Sequence, residues 1–135
     1  MKKTFLLAIT LFILAACSSA SADITGDWKL ISYGDAANTT PAIPDVDTSI
    51  KFDSNGQISG NVGCNSFGGN YEVSGDKITF SSIMSTLMYC EETSSQEQAV
   101  LSIFSDKVNL QIQMNGDTLT ITSTDGASEV NLARK

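Results

Sequence analysis

Beyond residue 48 the chain alternates apolar and polar side chains with a period of two. Ile50 and Phe52 flank Lys51, and Ile58 and Val62 follow the turn Asp53-Ser54-Asn55-Gly56. Tyr71 and Val73 precede a turn at Ser74-Gly75-Asp76, with Ile78 and Phe80 after it. Val108, Leu110, Ile112 and Met114 point one way against Asn109, Gln111 and Gln113. Asn115-Gly116 marks a tight hairpin before Leu119 and Ile121, and Asp125-Gly126 turns the chain towards Val130 and Leu132. Such alternation places one face of each strand on a core and the other in water. Hairpins repeated at this spacing predict a mainly β fold, a small antiparallel β-barrel. Upstream, Trp28-Lys29-Leu30-Ile31 starts the first strand, and Gly34 to Asp47, which holds both prolines, is expected to be a long surface loop.

One segment departs from this period. Ser94 stands three residues before Glu97, the spacing of a reciprocal helix-capping pair. Val100, Ile103 and Phe104 then fall on one side of a helix of about ten residues. A single amphipathic helix among hairpins is expected to cover one end of the sheet.

The N-terminus obeys neither pattern. Met1-Lys2-Lys3 leads into an apolar run from Phe5 to Ala16 and ends at Leu14-Ala15-Ala16-Cys17. That run is shorter than the ~20 residues that span a bilayer. A positive start, a short apolar stretch and small residues before a cysteine fit a bacterial lipoprotein signal peptide over residues 1–16. Cys17 is then the lipidated residue, and residues 17–23, with Ser18-Ser19-Ala20-Ser21-Ala22, form a short polar tether. Each acyl methylene contributes roughly 0.8 kcal/mol to anchoring, and several chains together hold stably. Ser18 after the lipidated cysteine favours an outer-membrane location facing the periplasm in a diderm cell.

Removing the leader takes Lys2 and Lys3 with it and moves the formal charge from −7 to −9. An acidic chain without a basic stripe is not expected to bind nucleic acid. Residues 24–135 are long enough for one domain with a real core. With Cys17 spent on lipid, Cys64 and Cys90 remain, and an even pair in an oxidising compartment favours a disulfide. A metal site is the alternative, but the chain has no histidine, and two thiolates among carboxylates suit zinc poorly. No metal or other cofactor is expected.

The missing histidine also removes Ser-His-Asp and Cys-His nucleophile systems. Ser74-Gly75-Asp76-Lys77 has the Ser-x-x-Lys spelling of penicillin-interactive enzymes but falls on a hairpin turn rather than a helix. Glu91-Glu92 and Asp45-x-Asp47 could pair carboxylates only across a cleft. No phosphate-cradling or dinucleotide glycine motif is present. A non-enzymatic protein is expected.

The most distinctive stretch is Gly63-Cys64-Asn65-Ser66-Phe67-Gly68-Gly69-Asn70-Tyr71. Together with Thr86-Leu87-Met88-Tyr89-Cys90 downstream and Gly26-Asp27-Trp28-Lys29-Leu30 at the start, it resembles the META domain, or HslJ-like, family over roughly residues 24–132. The resemblance implies a closed or nearly closed antiparallel barrel with one helix. It also implies an exported or lipid-anchored bacterial protein, in some members linked to stress, and it carries no catalytic residues. This chain departs from the family pattern at Leu87, where arginine is common, and at Glu91, where proline is common. The motif residues Gly63, Cys64, Asn65, Gly69, Tyr71, Thr86, Met88 and Cys90 are expected to be structural first, with Tyr71 and Met88 packing the barrel, Gly63 and Gly69 permitting a turn, and the two cysteines tying neighbouring strands. The function expected is a monomeric, lipid-anchored envelope module that binds or braces an envelope protein under stress. The alternative is a carrier holding an apolar small molecule at the barrel mouth.

Overall fold

The computed structural model describes residues 21–105 and 109–135. The expected leader (residues 1–16), the expected lipidation site Cys17 and the expected strand residue Val108 lie outside the described residues. Nine strands and one helix are present among them: β1 (Gly26–Asp35), β2 (Thr40–Pro41), β3 (Ser49–Phe52), β4 (Gln57–Asn61), β5 (Ser66–Ser74), β6 (Lys77–Ser85), α1 (Ser94–Ser105), β7 (Leu110–Asn115), β8 (Thr118–Thr122) and β9 (Ser128–Arg134). All pairings are antiparallel and run β1-β3-β4-β5-β6-β7-β8-β9, with β9 returning to β1, so eight strands close a barrel. The two-residue β2 adds to the outer half of β1 through Ser32↔Pro41 and Tyr33↔Thr40. Mainly β structure, closure into a barrel and a covering helix agree with the alternation in the sequence.

The first strand runs further than the apolar run suggests. β1 extends to Asp35, and part of the expected loop from Gly34 to Asp47 is strand instead. Polar residues extend it because the backbone of 28–35 pairs with β9 on one side whatever its outward side chains are. The second discrepancy is β6, which continues past Phe80 to Ser85 although its outward residues are not patterned.

Inward-facing residues fill the barrel. Trp28, Phe52, Phe80 and Phe104 are the largest fully buried side chains. Phe104 projects from α1 onto Phe80, with ring centroids 4.7 Å apart, and lies 5.8 Å from Phe67. Each such aromatic buries a large apolar area, so this cluster ties helix to barrel.

The registers define two ends. At one end lie the turns 53–56, 74–76 and 116–117, the entry at Ser21–Gly26 and the C-terminus. Ala22 N–H donates to Gly75 O at 3.5 Å, and Lys135 N–H to Asp27 O at 2.9 Å. Arg134 closes this end, its guanidinium 4.4 Å over the Trp28 ring and hydrogen-bonded to Thr25 O at 2.8 Å. At the other end α1 lies across the barrel, beside the segments 62–65 and 86–93.

Candidate functional site

The helix-covered end brings the two motif stretches together. β4 ends at Asn61, and residues 62–65 turn beneath the first turn of α1 before β5 begins. β6 ends at Ser85, and residues 86–93 lead back to α1. Cys64 and Cys90 are joined in a disulfide with their Cα atoms 6.2 Å apart. The pair does not tie neighbouring strands. It ties these two connecting segments, because both cysteines lie beyond the strand ends.

Asn65 sits at the centre and is buried. Its Oδ1 accepts from Thr86 Oγ1 at 2.7 Å and from Met88 N at 2.8 Å. Its Nδ2 donates to Met88 O at 2.8 Å and to Glu97 Oε2 at 2.8 Å. All four hydrogen-bonding positions of the amide are thus used, and its orientation is fixed by them. A turn residue is expected to serve its own neighbourhood; this one reaches a segment 23 residues away. Thr86 reinforces the contact, its N–H donating to Ser66 O at 3.0 Å.

Glu97 completes the arrangement from α1, and it is only 7% exposed. Its Oε1 accepts from the backbone N–H of Cys64 and, at 2.5 Å, of Asn65. The expected capping pair with Ser94 does not form. The carboxylate turns instead to the orphan amides of the motif loop, and the Ser94 hydroxyl donates to Glu91 O at 3.3 Å. Its neighbour Gln96 is fully buried and spans two more segments, donating from Nε2 to Val62 O at 2.5 Å and accepting from Ile43 N at 2.8 Å. Neither Gln96 nor Glu97 stands out in the sequence as a site residue. A capping box and a buried strut have the same spelling, and only the tertiary neighbour distinguishes them.

Gly63 and Gly69 act by close approach rather than as turn residues. A Cβ on Gly63 would lie 2.8 Å from Glu97 Cγ, Glu97 Oε1 and Thr93 Cβ. Gly69 lies inside β5, where the register shifts between Gly68 and Asn70 and Ser82 on β6 takes a φ of 56°. A Cβ there would lie 2.5 Å from Ile83 Cδ1 and 3.0 Å from Ser81 O.

Tyr71 packs against the barrel core as expected, at its rim, whereas Met88 does not pack the barrel. Tyr71 is half-buried at the opposite end, packed edge-on against Phe52 at 5.0 Å, with its hydroxyl donating to Asp53 O at 2.6 Å. Burial, then the charges of Asp53 and Asp23, push its phenol above the ordinary value. Met88 is 60% exposed. Its backbone, not its side chain, is what Asn65 holds.

Chemically this end is a lock. One carboxylate, one amide and one disulfide join three segments, and the hydrogen bonds formed are internal. A groove of about 350 Å³ lies between the 86–89 segment and α1, with Leu101 on its helix side. A second, of about 540 Å³, runs over the outer sheet face past Lys51, Asn70, Ser82 and Met84. Among the described residues no cluster of metal-binding side chains occurs.

The META domain family profile matches residues 22–135. The chain belongs to the META domain family. No curated protein matches it significantly. Among solved structures, an NMR structure of a protein from Burkholderia xenovorans is similar, with a TM-score of 0.66 and 22% identity, covering 100% of this chain and 97% of that one. A crystal structure of a DUF4847 family protein from Bacteroides vulgatus matches with a TM-score of 0.64 and 13% identity, over 82% of this chain and 93% of that one. At such identities the likeness concerns the fold. In this META domain the Gly-Cys-Asn stretch and the Thr-x-Met-x-Cys stretch are two halves of one contact.

Proposed function

We propose that this META-domain protein is a lipid-anchored, non-enzymatic module of the bacterial cell envelope that binds or braces an envelope component under stress. Residues 1–16 direct export, Cys17 carries the acyl chains, and the monomeric barrel faces the periplasm from the outer membrane where the cell has one. The observation that carries the non-enzymatic reading is the Asn65–Glu97 lock. The buried Glu97 carboxylate accepts from two backbone amides and a side-chain amide of the motif loop. A carboxylate so committed is a strut, whereas general acid–base work needs a group free to reach a substrate proton. The carrier alternative is weakened by Trp28, Phe52, Phe80 and Phe104, which occupy the interior where an apolar ligand would sit.

The test is to grow cells with a clickable palmitate analogue and fractionate their membranes. The chain is expected to take up label and to sediment with membranes, and a Cys17→Ser variant to lose both. Unlabelled wild-type protein in the soluble fraction would remove the anchor. Full rescue of a stress-sensitive deletion strain by Cys17→Ser would remove the need for an envelope position.

A further inference from the structure

The segment joining β6 to α1 puts large apolar side chains into water in an unbroken run. Leu87 is 94% exposed, Tyr89 81% and Met88 60%, with Met84 at 75% just before them. Single exposed apolar residues are ordinary, but a contiguous set marks an interaction surface. Looseness does not explain the exposure. Asn65 grips both the N–H and the C=O of Met88, Thr86 pairs with Ser66, and Cys90 is cross-linked to Cys64. The buried lock therefore fixes a backbone whose side chains touch little of their own domain. Fixing such groups beforehand removes ordering entropy from a binding event.

Direction and charge narrow the partner. Ser21 Oγ accepts from Gly75 N at 3.1 Å, so the N-terminal end of the described residues lies beside the β5–β6 turn. The nine residues of β6 then run away from that turn, a distance of roughly 30 Å at about 3.3 Å per residue. The apolar run thus sits at the end of the barrel remote from the tether. The two charges that follow it, Glu91 and Glu92, are both negative and exposed. Anionic lipid suits neither feature.

We propose that Leu87, Met88 and Tyr89 form a preorganised docking surface for a folded envelope protein that offers an apolar pocket rimmed by lysine or arginine. The apolar side chains enter the pocket, and Glu91 and Glu92 meet its basic rim. The choice of an envelope partner rests on the anchored reading above; the surface itself does not.

The test uses the full-length chain in intact cells, with a benzophenone amino acid in place of Leu87 or, at the tethered end, of exposed Ser54. A protein adduct of one discrete mass is expected from position 87 and not from 54. Its yield is expected to fall about tenfold in Glu91→Lys/Glu92→Lys and in Met88→Ser/Tyr89→Ser. Both pairs change exposed side chains, and an unchanged melting temperature checks that the fold is kept. Lipid adducts alone, an adduct of twice the chain's own mass, no adduct, or a protein adduct indifferent to both pairs would each overturn the proposal. Palmitate labelling in the same cells separates the two readings. Label without the adduct removes the docking surface and leaves the anchor; the adduct without label removes the anchor and leaves the surface.

Discussion

Replacing Asn65 by aspartate changes one NH2 group to an oxygen and leaves the shape alone. In the native lock Nδ2 donates to Glu97 Oε2 at 2.8 Å and to Met88 O at 2.8 Å. An ionised aspartate at this position would set two carboxylate oxygens at about that 2.8 Å separation. Two like charges so close repel by about 6 kcal/mol at an effective dielectric of about 20. Taking up one proton is the less unfavourable course. Holding a carboxyl protonated at pH 7, about three units above its reference value near 4, costs about 4 kcal/mol. The shared proton can restore the link to Glu97, but Met88 O loses its donor, which adds about 1 kcal/mol. Asn65→Asp is therefore expected to lose about 5 kcal/mol at pH 7. The folded variant binds a proton that the unfolded chain does not, so its stability is full below the unfolded value and falls as pH rises above it. The deficit should shrink by about 1.4 kcal/mol per unit from pH 7 towards pH 4 and end near 1 kcal/mol. Urea unfolding of oxidised protein at pH 7, 6, 5 and 4, with wild type measured alongside, reads this directly. A deficit below about 1 kcal/mol at pH 7, or one that does not vary with pH, would refute the assigned hydrogen bonding.

The disulfide closes 27 residues counted inclusively across a separation of 26, for which the chain-entropy model gives about 3.5 kcal/mol. Cys64→Ala and Cys90→Ala should each lose about that much in denaturant unfolding, and the double variant little more than either; additive losses would mean the sulfurs act separately. Gly63→Ala places a methyl group 2.8 Å from Glu97 and should cost about 1–3 kcal/mol, with faster amide exchange at Cys64 and Asn65; unchanged exchange would count against the close packing. Tyr71→Phe removes the hydroxyl bond to Asp53 O and should cost about 1 kcal/mol at neutral pH. Because burial and two nearby carboxylates raise the Tyr71 phenol above its ordinary 10.0, its stabilisation is full below that value and is lost as pH rises through the raised one. The Tyr71→Phe deficit should therefore shrink at high pH, and the difference in phenol absorbance titration between the two proteins should lie above pH 10.

The barrel is legible in the chain because strand geometry repeats every two residues, and a run such as Leu110-Gln111-Ile112-Gln113 has one way to bury its apolar half. The helix is legible for a similar reason, from Val100, Ile103 and Phe104. Strand ends are less so: β1 and β6 run on through residues without pattern, since backbone pairing to a neighbour needs no particular side chain. The motif residues announce themselves by type, but their work does not. Asn65 could have bonded its own turn, Glu97 its own helix start, and Met88 the core; each is a common local arrangement. Which partner an amide or carboxylate finds is set by chain closure, which puts residues 62–65, 86–90 and 94–97 at one end of the barrel. Hydrophobic period is a local property and survives in the letters; a hydrogen bond between residues 23 or 32 positions apart exists only after folding has removed the water between them.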